Sequence, residues 1–284
     1  MEYNEMECKE KWAVEARNVT YTYEGSGRRA LDDVSLKIAK GKKTAIMGEN
    51  GSGKSTFFLC LNGIRRPDAG EILIDGKPIE YSRKGLLDVR RKVGIVFQEP
   101  DDQLFSASVY QEISFGIMNL GVDTDTARQE VERVIRELGI EPFQDRPAHA
   151  LSGGQKKQVA IADILVMHPQ VMILDEPAAA LDVSHTRIVH EIIEKLTEQG
   201  ITILMSTHDI NYAYEWADEI ILMHEGKVIR RGRAEEVCGD QTALGEAGLE
   251  EPSVLRMYRK LLERNLISRC TDPPRSLREL ETML

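Results

Sequence analysis

The sequence is poor in cysteine and has no long apolar run, and both features narrow the class of protein. Its 284 residues include four cysteines, none in a C-x-x-C pair (Cys8, Cys60, Cys238 and Cys270). Scattered cysteines of this kind indicate neither a disulfide framework nor a metal site and are typical of a reducing compartment. The longest apolar runs, such as Val171 to Leu174, are far too short to span a bilayer. Because the N-terminus is acidic and has no apolar signal core, the sequence predicts a cytoplasmic protein.

Positive charge is also scarce, since 37 lysines and arginines stand against 47 aspartates and glutamates, a net charge of −10. A chain with this balance is not expected to have nucleic acid as its main partner. Apolar residues make up 42% of the sequence and charged residues 30%, as in soluble globular proteins. The length is enough for one large domain with an appendage, or for two domains.

Residues 48–55, with the sequence GENGSGKS, match the phosphate-loop pattern G-x-x-x-x-G-K-[ST] at every fixed position. The glycines let successive N–H groups point into one concavity that suits a polyphosphate. Lys54 is expected to reach the β- and γ-phosphates, and the Ser55 hydroxyl to bind the Mg²⁺ that they share. A predicted strand precedes the loop at 44–47, and a predicted helix follows it at 56–61. The nucleotide-binding residues predicted here are Gly48, Glu49, Asn50, Gly51, Ser52, Gly53, Lys54, Ser55 and Thr56.

Two carboxylates follow the apolar run at 171–174, which is typical of a central parallel strand buried on both faces. Asp175 is then at the tip of the strand beside the phosphate loop, where it can hold the Mg²⁺ shell through water. Glu176 is one position further on and can orient an attacking water. A bare Asp-Glu pair is uninformative, but one that follows a buried strand downstream of a phosphate loop favours a catalytic interpretation.

Two further polar residues stand just beyond predicted strands. Gln98 follows the strand at 93–97, where it can meet a metal or a water, although a lone glutamine more often only ends a strand. His208 follows the strand at 201–206, where it can contact a γ-phosphate, although a lone histidine is more often structural. Tyr23 lies upstream of the phosphate loop and can stack on a purine, or it is an ordinary strand tyrosine.

A second candidate anion site lies at residues 151–155, with the sequence LSGGQ, at the start of a predicted helix that runs to Met167. Free N–H groups and a serine hydroxyl at the positive end of a helix suit an anion. Because the chain has one nucleotide loop, this second site has no obvious ligand within the same chain.

The remaining chain is divided by its periodicity. Amphipathic helices are predicted at 125–138 and 184–196, and residues 115–118 suggest another, so residues 108–150 form a helical insertion. Beyond about residue 233 the chain becomes polar, with an apolar helical stripe at 254–262 and a capping box, Ser276 to Glu279, that opens a last helix. The apolar stripe at 254–262 is either packed core or a partner surface. Further strands are predicted at 14–23, 31–38 and 70–76, and a closing strand and hairpin at 218–230.

These motifs, in this order, resemble the ATP-binding cassette (ABC) ATPase family over residues 13 to about 235. The resemblance implies an α/β fold, a P-loop NTPase with a mixed sheet, an inserted helical subdomain at about 108–168 and a helical appendage at 236–284. It implies Walker A at 48–55, Walker B at 171–175 and the signature at 151–155. It makes Tyr23 the residue that stacks on adenine and Asp182 the D-loop aspartate, although the segment before Leu181, PAAA, departs from the common pattern by lacking a threonine or serine after the proline.

The same resemblance implies roles for individual residues and for partners. Glu176, His208 and Gln98 are catalytic, whereas Ser55, Gln98 and Asp175 surround Mg²⁺. In a head-to-tail homodimer or heterodimer, each ATP lies between the phosphate loop of one subunit and the signature of the other, formed by Leu151, Ser152, Gly153, Gly154 and Gln155.

Within the family, the sequence FQEPDDQLF at 97–105 resembles the ATPases of energy-coupling-factor (ECF) importers. Residues 78–85 and 106–116 resemble their cobalt/nickel branch, the CbiO type. This implies an ATPase on the inner face of the cell membrane, with transmembrane and substrate-binding ECF components as partners, and an appendage associated with pairing of the ATPases. The vitamin-importing ATPases are close relatives and remain an alternative.

Two other classes of ABC ATPase fit less well. Those of DNA repair carry coiled-coil or zinc insertions between Walker A and the signature, and here this interval has neither sustained heptads nor cysteine pairs. Those of the translation-factor type carry two cassettes, whereas this chain has one Walker A and one signature.

Overall fold

A six-stranded, mainly parallel sheet forms the centre of the protein, in a computed structural model that describes residues 12–268 and 272–284. The strands are β1 (Trp12–Thr22), β2 (Arg29–Ala39), β3 (Lys43–Met47), β4 (Ala69–Ile74), β5 (Lys77–Pro78), β6 (Val93–Val96), β7 (Val171–Asp175), β8 (Thr202–Ser206), β9 (Glu219–His224) and β10 (Lys227–Arg233). The central sheet has the order β10-β9-β3-β8-β7-β6, in which only β10 is antiparallel to its neighbour. A second, antiparallel sheet has the order β2-β1-β4-β5.

Helices occupy most of the remaining chain. They are α1 (Lys54–Leu61), α2 (Arg83–Lys92), α3 (Val109–Asn119), α4 (Thr124–Glu137), α5 (Gly153–Leu165), α6 (Val183–Glu198), α7 (Ile210–Trp216), α8 (Ala234–Cys238), α9 (Gln241–Glu246), α10 (Ser253–Glu263) and α11 (Leu277–Glu281). Side-chain caps define many starts, because a serine or aspartate accepts a hydrogen bond from the first turn, as Asp182 does for α6 and Asp209 for α7.

Alternate residues of the central strands supply two hydrophobic cores, one on each face of the sheet. Ile46, Ile173 and Leu204 pack toward the antiparallel sheet and α1. Met47, Met172 and Met205 pack on the opposite face, toward the other helices. With both faces covered, the parallel strands read as continuous apolar runs. The mixed sheet and the helical layers confirm the predicted α/β fold class.

The carboxyl ends of the parallel strands position the residues singled out by the sequence. The phosphate loop leaves β3, Gln98 follows β6, Asp175 ends β7 with Glu176 just after it, and His208 follows β8. In a parallel sheet these ends share one edge, the usual place for a ligand.

The C-terminal helices pack on α7, the helix that follows His208. The Ser253 amide donates to Asn211 Oδ1 at 2.8 Å, near the start of α7. The Arg275 guanidinium donates to the Tyr214 carbonyl at 2.9 and 2.7 Å and also to the Ala217 carbonyl, at the other end of α7.

The capping box predicted for α11 forms in part. Ser276 Oγ accepts from the Glu279 amide, but the Glu279 carboxylate accepts from the Arg275 amide, one residue before the predicted donor. The contacts of the C-terminal helices and the capping of α11 do not test the predicted domain boundary near residue 235, which stays a prediction.

Two cysteines of the described chain, Cys60 in α1 and Cys238 in α8, are fully buried free thiols. Burial raises the pKa of each thiol to about 12. Cys8, Cys270 and the acidic N-terminal stretch lie outside the described residues. Within residues 12–268 and 272–284, none of the helices has the length and apolar character that crossing a membrane requires.

Candidate nucleotide-binding and hydrolysis site

The phosphate loop wraps from β3 into α1, and a side chain at two of its glycines, Gly48 and Gly53, would clash with neighbouring backbone. Gly48 has φ 146° and Gly53 has φ 107°. A Cβ at Gly53 would lie 2.6 Å from the Ala30 carbonyl oxygen, and a Cβ at Gly48 would overlap the Met223 carbonyl. The loop backbone is therefore pressed against β2 and β9, with its concave side left for a ligand.

Lys54, the first residue of α1, folds back over this loop. Its Nζ donates to the carbonyl oxygens of Gly48 at 2.8 Å and Glu49 at 3.0 Å. Burial lowers the pKa of Lys54, while the carboxylates of Glu176 and Asp175 oppose this effect. The helix that Lys54 begins, α1, also packs on β7, so the structure brings Lys54 and this strand together. Ser55 is exposed in the first turn of α1, where its hydroxyl is accessible to a ligand.

Asp175 is a buried carboxylate held in a fixed orientation by a residue that the sequence analysis missed. Ser206, the last residue of β8, donates its hydroxyl to Asp175 Oδ1 at 2.5 Å and accepts from the Glu176 amide at 2.9 Å. The sequence signal was available, because Ser206 is a polar end to an apolar strand that neighbours β7. One hydroxyl therefore orients both acidic residues.

Glu176 and His208 face each other beyond the tips of β7 and β8. Glu176 Oε1 lies 3.3 Å from His208 Nε2. This buried oxygen accepts no hydrogen bond within the described part of the chain. Burial raises the pKa of Glu176, against the lowering effects of His208 and Lys54. A carboxylate with a free oxygen and a raised pKa is suited to accept a proton from water.

Gln98 is exposed, and the structure fixes its backbone through Lys157. Lys157 Nζ donates to the carbonyl oxygens of Gln98 at 2.8 Å and Phe97 at 3.0 Å. Burial lowers the pKa of Lys157 to about 8, although Glu99, Asp175 and Glu176 oppose the shift. No motif in the sequence singled out Lys157. The signal that could have found it is its position on the same helical stripe as Ile161 and Ile164, where a charged residue stands among core positions.

Tyr23 lies against the start of α1, as a nucleotide-contacting residue would. Its hydroxyl is 3.1 Å from Thr56 Oγ1, and its ring meets the edge of Tyr21 at 5.1 Å. The Arg65 guanidinium stands 5.6 Å from the ring centroid. The ring keeps 37% of its surface exposed, so it retains a surface on which a base can stack.

The signature segment begins α5 with a capping box. Ser152 Oγ accepts from the Gln155 amide at 3.3 Å, and Gln155 Oε1 accepts from the Ser152 amide at 3.1 Å. Ser152 and Gly153 are exposed, whereas Leu151 and Gly154 are buried. α1 packs on β2 and β7, whereas α5 packs on α3, α4, α6 and β6. The two predicted anion sites thus lie at the heads of helices with different neighbours.

Asp182, the predicted D-loop residue, is the N-cap of α6. Its Oδ1 accepts from the His185 amide at 2.9 Å and from the Ser184 hydroxyl at 2.7 Å. The backbone hydrogen bond from His185, followed by the Ser184 bond, holds the pKa of Asp182 well below its usual range. Asp182 therefore stays ionised at the head of α6.

Comparison with known proteins identifies the family of this chain. The ABC transporter family model matches residues 31–179. The energy-coupling factor transporter ATP-binding protein EcfA3 of Clostridium perfringens is 44% identical over 257 residues, covering 90% of each chain. The cobalt import ATP-binding protein CbiO of Rhodobacter capsulatus is 45% identical over 240 residues, covering 84% of this chain and 85% of that one.

A solved structure shares both the fold and the sequence. It is cbiO1 of Clostridium perfringens, described as part of the ABC transporter complex cbiONQ. It superposes with a TM-score of 0.74 at 42% identity and covers 89% of this chain and 100% of its own. The chain therefore belongs to the ABC transporter family of ATP-binding proteins and is an ATPase of the EcfA and CbiO type.

Proposed function

We propose that this ATPase is the motor subunit of an ECF importer, peripheral on the inner face of the cell membrane, and couples ATP hydrolysis to uptake of cobalt or nickel. The observation that carries the motor role is the buried pair at the tip of β7, Asp175 and Glu176, within electrostatic range of Lys54. The name of the Rhodobacter relative supports cobalt. Vitamin uptake by an ECF importer is the second candidate, because the Clostridium relative is named as an energy-coupling factor ATPase without a stated substrate.

ATP binding falls to the phosphate loop and the residues around it. The loop amides and the Lys54 ammonium hold the β- and γ-phosphates by charge-assisted hydrogen bonds. To do so, Nζ exchanges its bonds to the Gly48 and Glu49 carbonyls for phosphate oxygens. Tyr23 supports the base, and the hydrogen bond between its hydroxyl and Thr56 fixes the ring relative to the loop.

Oxygen ligands suited to Mg²⁺ are present in the right chemical form. Asp175 is buried with one oxygen held by Ser206, and Ser55 offers an exposed hydroxyl. Magnesium prefers such hard oxygen donors and keeps several waters. We assign its ligation to Ser55, Gln98 and Asp175, and when bound it neutralises charge on the phosphates.

Hydrolysis then depends on Glu176 and His208. Glu176 orients the attacking water and accepts its proton on Oε1, the buried oxygen without a hydrogen bond in the described structure. His208 lies 3.3 Å from that oxygen and is placed to contact the γ-phosphate. Burial keeps bulk water from competing for the carboxylate.

The signature completes the site of a second subunit. Ser152, Gly153 and Gly154 form an anion site for which this chain has no second nucleotide loop, and Ser152 and Gly153 are exposed. We propose a head-to-tail dimer, homomeric or with a paralogous ATPase, in which the signature binds the γ-phosphate held by the partner. It then supplies in trans the donors that stabilise the transition state, as an arginine finger does.

Mixed dimers of two inactive variants test this arrangement. Lys54→Ala removes a phosphate contact, and Ser152→Arg blocks the signature, so each variant alone is damaged at both shared sites. A mixed dimer contains one site with both defects and one with neither. We expect low ATPase activity for each variant alone and partial recovery in the mixture, measured by phosphate release. No recovery in confirmed mixed dimers, or full activity of a monomer, contradicts the shared site.

The membrane partner has a candidate docking groove between the sheet and the inserted helices. A cavity of about 480 Å³ is lined by residues of α2, β6, α3 and α5. Exposed apolar side chains border it, with Leu87 46% and Phe115 49% accessible, and Phe105 meets Phe115 edge to face at 5.0 Å. A cluster of exposed apolar side chains around a groove favours a protein interface. Because the solved relative is part of a transporter complex, we assign the groove to a cytoplasmic segment of an integral membrane subunit.

Recruitment to membranes tests the groove. We expect Phe115→Asp to lower co-purification with integral membrane proteins at least about 10-fold, because a buried charge opposes docking. ATP affinity of the isolated variant should be unchanged. Met257→Asp, at an exposed apolar residue of α10, is the matched control and should retain co-purification. Equal co-purification of membrane proteins with the unaltered protein, Phe115→Asp and Met257→Asp rules out this docking site.

A further inference from the structure

His185 lies in the first turn of α6 and packs directly on the signature glycines. A Cβ at Gly154 would lie 2.7 Å from the His185 Cβ and would overlap ring carbons Cγ and Cδ2. The imidazole therefore fills the space that a side chain at Gly154 would need. Since Gly154 has no positive φ, this contact is what requires a glycine there.

The other edge of the same ring holds Asp182. Nδ1 of His185 lies 2.9 Å from Oδ1 and 2.9 Å from Oδ2 of Asp182. An ionised carboxylate only accepts hydrogen bonds, so Nδ1 carries the proton. The ring is thus held by a charge-assisted hydrogen bond at Nδ1 and by packing of Cγ and Cδ2 against Gly154. Only 30% of the side chain is exposed.

A short turn connects this pair to Glu176. The Ala179 amide donates to the Glu176 carbonyl at 3.1 Å, and the Leu181 amide donates to the Ala178 carbonyl at 3.3 Å. Leu181 Cδ2 would lie 3.8 Å from a Cβ at Gly153, so the turn itself also touches the signature. A continuous set of contacts runs from Glu176 through Asp182 and His185 to Gly154.

We propose that His185 is a positioning residue that fixes the signature glycines relative to the turn between Glu176 and Asp182. This rests on the proposed shared-site dimer, in which one subunit supplies Glu176 to its own ATP and its signature to the partner's ATP. His185 then connects the two ATP sites, because movement of the catalytic turn in one site displaces the signature in the other.

Two substitutions separate the two contacts of the ring. His185→Asn keeps a short donor for Asp182 but removes the ring from Gly154. His185→Phe keeps a ring over Gly154 but cannot donate to Asp182. Arg187→Ala is the matched control, because Arg187 is on the same helix in an exposed ion pair with Glu191. Thermal unfolding of each variant reports any general loss of stability.

The mixed dimer places each substitution on a chosen side of the single intact site. The Lys54→Ala chain supplies the signature to that site, and the Ser152→Arg chain supplies the phosphate loop. We expect His185→Asn on the signature-supplying chain to lower kcat about 10-fold with little change in KM, and on the loop-supplying chain to lower it less than about 2-fold. His185→Phe should show the same asymmetry with a smaller loss.

The outcomes separate this inference from the proposal on which it rests. If mixtures with native His185 show no recovery, the shared site and the role of His185 both fail. If they recover, but both variants lower kcat equally from either chain, or from neither, only the role of His185 is overturned. A variant that does not fold is replaced by the other, because either one alone tests the asymmetry.

Discussion

At the scale of single residues, Glu176 is held in a backbone conformation that few non-glycine residues adopt. Its φ is 46°, in the left-handed region. Such a conformation costs on the order of 1–3 kcal/mol and persists where the surroundings enforce it. Here the Ser206 hydroxyl binds the Glu176 amide, and the Ala179 amide binds its carbonyl. The strain directs the side chain out of the strand and toward His208.

Replacing Glu176 by glutamine should separate ATP binding from turnover. A neutral amide is a poor acceptor for the proton of water, so we expect kcat to fall at least about 100-fold. Lys54 and Asp175 remain, so ATP should still bind and the variant should accumulate as an ATP-bound dimer. Phosphate release and size-exclusion chromatography with ATP measure the two effects. Glu191→Gln, an exposed change in α6, is the control. Substantial turnover by Glu176→Gln would transfer the catalytic role to His208.

Asp163 makes stability depend on pH. Burial raises its pKa to about 7, against the opposing hydrogen bond from Gln103 at 3.0 Å. Between its ordinary pKa of 3.8 and about 7, the folded protein therefore binds more protons than the unfolded chain. The contribution of this group to stability is present at low pH and is lost as the pH rises to about 7.

Asp163→Asn should remove that pH dependence, because the amide stays neutral. We expect the free energy of unfolding to rise by about 1–2 kcal/mol at pH 8 and to change little at pH 4. The gain is limited because the side chain lines the groove and is partly exposed to water. Denaturant unfolding at both pH values measures it, with the exposed Asp145→Asn as a control. An equal effect of Asp163→Asn at both pH values would show that proton binding is not its cause.

Motifs predicted the positions of some of these residues but not the contacts of others. The pattern at 48–55 and the acidic end of an apolar run indicated that Lys54 and Asp175 share one sheet edge, which the structure shows, while their roles in ATP hydrolysis stay predictions. Lys157 and His185 depend on how α5 meets β6 and α6. The way in which these helices and strands pack against each other is tertiary structure, which no local sequence pattern encodes.

At the scale of elements, the helices and strands with a strong apolar pattern were predicted, and those with a weak pattern were not. The ends of β3, β7, β8 and α6 were each predicted to within two residues. The helix predicted to run to Met167 ends at Leu165 instead. No element was predicted for α2 or α7. α2 buries only Gly85 and Val89, and α7 has seven residues, so neither carries a full apolar stripe.

The C-terminal helices are held on α7 by Arg275, and we expect Arg275→Ala to loosen them. The change leaves the Tyr214 and Ala217 carbonyls without their cationic donor, at a cost of about 2 kcal/mol. Limited proteolysis should cleave the C-terminal region faster, with a lower midpoint of thermal unfolding. Arg256→Ala, which breaks an exposed ion pair with Glu250, should change neither. Unaltered cleavage of Arg275→Ala would mean that packing alone holds these helices.

At the scale of the whole molecule, one sheet separates two cores, and the predicted nucleotide site lies at the carboxyl edge of its parallel strands. This arrangement was predictable, since buried parallel strands alternating with helices specify an α/β fold. The groove was not, because its walls come from α2, α3, α5 and β6, which are far apart in sequence. The proposed pairing of two chains was not predictable in detail either, because it depends on the surface of a second molecule.

The two buried thiols, Cys60 and Cys238, can report local opening of the folded protein. Alkylating reagents react with thiolate, and at neutral pH the raised pKa values of Cys60 and Cys238 leave almost none. Alkylation of either thiol therefore requires local opening that exposes it to solvent, and the labelling rate measures how often that opening occurs. Cys60 lies in the helix that follows the phosphate loop, and Cys238 lies where the chain enters the C-terminal helices. The relative labelling of the two sites thus reports whether the nucleotide-binding core and the C-terminal end open together or separately.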